Sequence, residues 1–288
     1  MGNDGANAAC ADESPYNRPE TLARQLGSRC DWKMTDSAYI PASGLTGKLK
    51  RLKARFLECD PLHFAPDQLV VSITFDDFPK SAFDVGKSGL EKRGWRGTWY
   101  ASAGFAGTDT HHGPMFDADH LRQLEDSGHE IACHTLNHTD LGQASDEVAC
   151  AQIAANYEAL VDLGLKSGLP AFAYPYGEAS PASKRVLATR FETLRGVRPG
   201  INRKGDDRNL LKAVGIDGGE AGLARAHAFI DEGMARPGWL IFYTHDIQPS
   251  PTEWGCTPDE FSGLLDHIQA SGAKVLPVTQ AYRWLTAS

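Results

Sequence analysis

Val70-Val71-Ser72-Ile73-Thr74-Phe75-Asp76-Asp77 is an apolar, β-branched run that ends in two adjacent carboxylates. A run of this length and composition reads as a buried strand, and its polar end as the place where that strand opens into a site. Two anions side by side repel each other, so their placement at a strand end calls for a cation nearby.

Outward from 69–76, strand patterns recur at 97–102, 129–134, 171–175, 193–198, 212–216, 239–245 and 274–278. Helical patterns at 82–92, 118–127, 145–163, 181–189, 220–235 and 258–271 lie between most of them. Strands alternating with helices imply a mainly parallel sheet with right-handed crossovers, and seven or eight such units favour an α/β barrel over an open sheet. In such barrels the chemistry sits where the strands end. Residues 69–288 read as this barrel. Residues 1–68 are punctuated by Pro15, Pro19, Pro41, Pro61 and Pro66, with short helical patterns at 20–26 and 45–57. They have no apolar core of their own and read as an N-terminal extension packed on the barrel.

With 288 residues, 41% of them hydrophobic and 23% charged, the chain is long enough for one large domain with a sizeable core. A formal charge of −8 argues against a nucleic-acid footprint or attraction to anionic lipid. The basic run Lys48 to Arg55 alternates with leucine and reads as one amphipathic helix with a solvated face, an anion or membrane-surface contact being the alternative. No apolar run approaches transmembrane length, and residues 1–16 hold no apolar segment of the secretory kind. Ala6 stands where myristoylation needs Ser or Thr. The sequence as written reads as cytoplasmic. Six scattered cysteines show no C-x-x-C spacing and read as reduced thiols, Cys133 as a small buried apolar residue.

The third strand runs into His134-Thr135-Leu136-Asn137-His138. Two histidines four apart on one face of a helical turn can offer two imidazole nitrogens to one ion. Asp77 follows a strand of the same expected sheet edge, and one carboxylate with two histidines is a usual ligand set for a catalytic zinc-type ion. Asp76 is then left beside the ion as general base. Strand seven, Trp239 to His245, also ends in a histidine, and its place at the same mouth makes His245 the candidate general acid. At Tyr174-Pro175-Tyr176-Gly177 the Tyr176 backbone N–H is placed to face an oxyanion, a purely structural turn being equally open. His111 and His112 read as solvated loop residues. His63, His120, His129, His227 and His267 lack partner spacing and are assigned no role.

These motifs resemble the polysaccharide deacetylases of the NodB-homology type, carbohydrate esterase family 4. Thr74 to Asp77 resembles that family's T-F-D-D motif, His134 to His138 its H-[ST]-x-x-H motif, and Ala173 to Tyr176 its R-x-P-Y motif. Tyr243-Thr244-His245 stands where L-x-H is expected. The resemblance spans roughly residues 69–285 in motif order and spacing. It implies a distorted (β/α)7 barrel, a divalent metal, most often Zn2+, on Asp77, His134 and His138, Asp76 as base, His245 as acid, and removal of acetyl groups from N-acetylated sugars. Several positions depart from the pattern. Phe78 replaces a frequent glycine, so the first loop is expected to be bulkier. Ala173 replaces the arginine that pairs with the base aspartate, with Arg195 and Arg198 as unranked substitutes. Tyr243 replaces a leucine that lines the acetyl-methyl pocket. The D-x-x-D-W segment is not evident, which leaves Asp217 or Asp246 to orient His245. These changes suggest a divergent branch, with a carbohydrate substrate such as a short or lipid-linked precursor of an exopolysaccharide or surface adhesin. An allantoinase-like hydrolase of a cyclic amide and a non-catalytic glycan-binding protein are the rival readings.

Overall fold

The computed structural model describes residues 44–287. The helical pattern at 20–26, Cys10 and Cys30 lie outside them. Seven parallel strands curl into a half-barrel in the order β7-β6-β5-β2-β1-β9-β8. They are β1 (Val70–Asp76), β2 (Thr98–Ala101), β5 (Glu130–Cys133), β6 (Ala171–Ala173), β7 (Thr193–Arg195), β8 (Val214–Gly215) and β9 (Trp239–Thr244). Strand β1 lies at the centre. Along one edge it pairs with β9 from Val70 to Phe75. Along the other it pairs with β2 at Thr74 to Asp76 and with β10 (Lys274–Val275) at Val70 and Val71. Beyond β7, Leu211 donates to the Leu194 carbonyl (2.8 Å) and accepts from the Gly196 N–H (2.9 Å), which covers that edge.

All the expected strands are present, most of them shorter than their sequence patterns. The last is cut to two residues because Pro277, which has no N–H to give a ladder, caps helix α9 (Val278–Thr286), an element the sequence reading missed. Helices α4 (Ala118–Asp126), α5 (Asp146–Asp162), α6 (Pro181–Leu187), α7 (Gly219–Ala235) and α8 (Pro258–Ser271) match their patterns to within two residues at each end. Four of them open on a side-chain N-cap with Pro or an acidic residue in the first turn, as at Thr257-Pro258-Asp259-Glu260. The helix expected at 82–92 is broken into α2 (Lys80–Ala82), a π turn (Phe83–Lys87) and α3 (Ser88–Glu91). A hairpin, β3 (Asp109–Thr110) and β4 (Gly113–Pro114), was also missed, and it carries His112 on its two-residue turn.

Period-two alternation divides the core into an outer and an inner layer. From β1, Val71, Ile73 and Phe75 join the layer under the helices, with Trp99, Leu240, Phe242, Phe261 and Ile268. On its other face lie Ser72, Thr74 and Asp76, and the two hydroxyls donate to the carbonyls of Leu276 and Phe242 (2.8 Å each). The inner layer holds Val70, Tyr100, Ala132, Ala171, Ala173, Ala213, Trp239 and Ile241. Its alanines leave room for larger polar groups.

Helix α1 (Gly44–Phe56) forms over the basic run, as expected. Ala54 is its buried contact with the barrel, while Leu45, Leu49, Leu52 and Phe56 are exposed. The fully buried Lys184 ammonium ends this helix by donating to the carbonyls of Ala54 (2.8 Å) and Leu57 (2.6 Å), and it is paired with Asp207 (2.6 Å). Cys133 is buried and accepts from Asn156 Nδ2 at 3.3 Å, and burial pushes its thiol up to about 11, which fits a structural residue.

Candidate active site

Asp76 is the last residue of β1, and the inward alternation of the strand carries its carboxylate to the mouth of the half-barrel. There it meets Arg195, whose Nη2 donates to both carboxylate oxygens at 2.6 and 2.7 Å. Arg195 is 0% exposed and Asp76 3% exposed. Ala173 on β6 and Arg195 on β7 are register partners, so the arginine expected at 173 has been replaced by one on the adjacent strand, pointing into the same space. The guanidinium lies over the rings of Tyr100 (4.8 Å) and Tyr243 (5.2 Å), an arrangement that favours a desolvated cation. Burial opposes the Arg195 charge, yet Asp76 and then Tyr100 leave its pKa raised. Arg198 makes no such contact.

The next two residues turn sharply. Asp77 (φ 59°) and Phe78 (φ 64°) both adopt left-handed backbone, which throws the second carboxylate away from the first. The glycine usual at this position suits that φ; here the Phe78 ring, fully buried, stacks on Phe116 at 4.5 Å and approaches Trp99 at 5.0 Å. The expectation of a bulkier loop is corrected: the ring fills the core instead of the rim. Thr135, His138 and Tyr176 are also left-handed, so five of the six non-glycine residues with positive φ among those described surround this mouth.

His134 and His138 meet without the helical turn their spacing suggests. They sit on an irregular loop after β5, pinned by Ser102 Oγ donating to the His134 carbonyl (2.9 Å) and by the Thr139 N–H donating to Thr135 Oγ1 (2.9 Å). Gly104 brings the loop after β2 against it, donating to the Leu136 carbonyl (2.8 Å); a Cβ there would lie 2.3 Å from Asn137 Oδ1. The His134 Nδ1 proton goes to the Ala173 carbonyl (2.8 Å), which leaves Nε2 as a lone pair. His134 Nε2 and His138 Nε2 lie 3.7 and 3.6 Å from Asp77 Oδ1, a buried oxygen with no hydrogen-bond partner among the described residues. These separations are too long for hydrogen bonds. They suit atoms sharing one ion, since two bonds of about 2.1 Å meeting somewhat wider than tetrahedrally put their ends ~3.6 Å apart. The residues therefore fit a divalent metal. Burial works against the Asp77 anion, but His138 and His134, then His245 and His112, hold its pKa well below the usual carboxylate range. Burial pushes His138 down to about 4, which keeps its nitrogen available to a metal near neutral pH.

On the other side of Asp77 the sequence reading needs correction. His112, expected in solvent, is 3% exposed. Its ring stacks on His245 at 4.9 Å, and Asp77, His112 and His245 form a second group whose ligand atoms lie within 4.8 Å of one another. Neither Asp217 nor Asp246 orients His245. Asp217 is paired with Arg225 (2.8 Å), Asp246 contacts His112 Nδ1 (3.1 Å), and His245 Nδ1 lies 3.2 Å from the Trp254 carbonyl. Burial lowers the His245 pKa, with Asp76 and Asp77 opposing. Tyr243 packs under Arg195, and burial pushes its hydroxyl up to about 12. Tyr176 closes the mouth with its ring edge-on to His138 at 4.3 Å. The signal that could have located His112 is its setting, two histidines between Thr110 and a left-handed Gly113, the pattern of a tight hairpin turn.

Comparison with known proteins bears on the fold. The family model for "Polysaccharide deacetylase" matches residues 65–190. No curated protein matches the chain by sequence. Among solved structures, the chitin deacetylase from the fungal pathogen Colletotrichum lindemuthianum superposes with a TM-score of 0.56 at 17% identity, over 76% of this chain and 90% of that one. A family 4 acetyl xylan esterase from Clostridium thermocellum, solved with a cobalt ion, gives 0.53 at 19% identity over 75% and 91%. A CE4 family pseudoenzyme from Bacillus anthracis gives 0.53 at 14% identity over 77% and 67%. At these identities the likeness is one of fold.

Proposed function

We propose that this chain, whose residues 65–190 match the polysaccharide deacetylase family model, is a metal-dependent hydrolase that removes acetyl groups from N-acetylated sugars, of the N-acetylglucosamine type. A fold shared with a pseudoenzyme carries no activity by itself, so the reading rests on the residues. One observation carries it: the two adjacent carboxylates are separated into different jobs. Asp76 is clamped by Arg195, while Asp77 turns a bare oxygen toward two imidazole nitrogens.

Asp77, His134 and His138 would hold a divalent metal, zinc being the best match to one carboxylate and two imidazoles. When bound, such an ion supplies Lewis acidity toward the acetyl carbonyl and toward an attacking water. Asp76 accepts the proton of that water, its carboxylate kept in place by Arg195. The Tyr176 backbone N–H donates to the developing oxyanion from the left-handed turn after β6. His245 then protonates the departing amine, and its lowered pKa makes the protonated ring a stronger donor. The test is acetate release from defined N-acetylglucosamine oligomers, beside a panel of cyclic amides, with and without a chelator. Chelator-sensitive acetate release supports the proposal. Turnover of a cyclic amide alone, or of nothing, rejects it.

A further inference from the structure

Helix α1 (Gly44–Phe56) carries an apolar stripe that neither the core nor the candidate site uses. Its buried residues are Gly47 and Ala54, two small side chains two turns apart on the face that meets the barrel. Every other residue of the helix is exposed. At 3.6 residues per turn, Leu45, Leu49, Leu52 and Phe56 share an arc of about 60° directly opposite that contact. They are between 51% and 80% exposed. With Leu57 they make up five of the eight large apolar side chains exposed among the described residues, so the exposed apolar surface is gathered here and not scattered.

Basic side chains border the stripe on both margins. Lys48 and Arg55 follow one edge, and Lys50 and Lys53 the other. Arg51 sits nearer the barrel and pairs with Glu178 at 2.8 Å. Together with the Lys184 bonds to the Ala54 and Leu57 carbonyls, this pair fixes the helix on the domain with its stripe outward. The helix contains no acidic residue. Apolar side chains along the middle and long basic side chains along both margins match the layering of a bilayer surface, where acyl chains lie beneath anionic headgroups. A second copy of the chain is the poorer occupant, because two such helices would bring like charges together along both margins. The formal charge of −8 does not oppose the contact locally, since it is spread over the whole chain and salt screens exposed charges beyond about 8 Å. We propose that α1 is an interfacial helix that seats the protein on an anionic membrane surface. Leu45, Leu49, Leu52 and Phe56 enter the acyl boundary, and Lys48, Lys50, Lys53 and Arg55 meet the lipid phosphates. The inference goes beyond the hydrolysis proposed above and does not rest on it.

The test is co-sedimentation of the full chain with vesicles of phosphatidylcholine alone and of phosphatidylcholine with about one third phosphatidylglycerol. Binding to the anionic vesicles is expected to be tighter by about tenfold or more and to weaken as salt is raised. The variant Leu49→Ser/Leu52→Ser should lower that binding by about tenfold or more, and Lys48→Gln/Lys53→Gln by a similar factor at low salt. All four positions are exposed, so circular dichroism and thermal unfolding should match the wild type. Should a variant fail to fold, the wild-type preference between the two vesicles decides alone. No binding of the full chain to either vesicle, equal binding to both, or unchanged binding by a folded Leu49→Ser/Leu52→Ser overturns the proposal. A wild-type dimer in analytical ultracentrifugation that this variant dissociates would give the stripe to a second copy and overturn it likewise.

Discussion

Replacing Arg195 by methionine removes the cation from a pair in which neither partner reaches solvent. The carboxylate of Asp76 loses two hydrogen bonds of 2.6 and 2.7 Å and keeps its burial. With charge centres about 4 Å apart, the pair is coupled by ~4 kcal/mol at an effective dielectric constant near 20. Breaking a buried pair from one side typically costs about 3–5 kcal/mol, because the remaining charge stays in the protein. Arg195→Met should therefore lower unfolding stability at neutral pH by about 3–5 kcal/mol in chemical denaturation. The double variant Asp76→Asn/Arg195→Met, which has no stranded charge, should lose less than the sum of the single variants by more than about 1 kcal/mol. The register pairing of residues 173 and 195 gives a sharper form of the same experiment. Ala173→Arg combined with Arg195→Ala returns the cation from the neighbouring strand and should recover part of the stability and of the turnover. Additivity of the two single variants within ~0.5 kcal/mol would refute the clamp.

Two further outcomes are expected. Burial pushes the Glu130 carboxyl up to about 7, against the Thr279 and Thr98 groups that donate to it. A carboxyl raised above its unfolded value contributes stability below the ordinary glutamate value of 4.5 and loses it as pH rises through about 7. Glu130→Gln, at the strand end remote from the site, should thus gain thermal stability over wild type progressively from pH 5 to pH 8; a difference constant across that range would contradict it. Phe78→Gly relieves a left-handed φ by about 1 kcal/mol but leaves the Phe116 and Trp99 rings facing a void, for a net loss of about 2–4 kcal/mol. A stabilised variant would show that backbone strain, and not ring packing, dominates there.

What the sequence revealed follows from which signals are local. The parallel half-barrel was legible because each strand is an apolar run and each helix carries its own periodicity and caps. Asp76, Asp77, His134 and His138 were legible because strand ends and short spacings announce them. The cation for Asp76 was not, since it depends on register between β6 and β7, a non-local quantity; Arg195 could be named beside Arg198 but not preferred. In retrospect Thr193-Leu194-Arg195 contains the clue, because an outward Leu194 turns Arg195 inward. The bend that unites His134 and His138 was misread as helical since the same four-residue spacing also fits a loop with left-handed residues. His112 was missed because a two-residue turn carries no hydrophobic pattern. Residues that orient histidines were misassigned for a related reason: Asp246 follows His245 in sequence, yet the adjacent side chain points away and meets a histidine more than a hundred residues earlier.

The division of labour between Asp76 and Asp77 is tested most directly by Asp76→Asn, assayed for metal content and for acetate release from an N-acetylglucosamine oligomer. Asparagine keeps the shape while removing the base, so the account predicts wild-type metal content with acetate release lowered by about 10²–10⁴-fold. Wild-type turnover in that variant, or loss of the metal with the acetate, would contradict it.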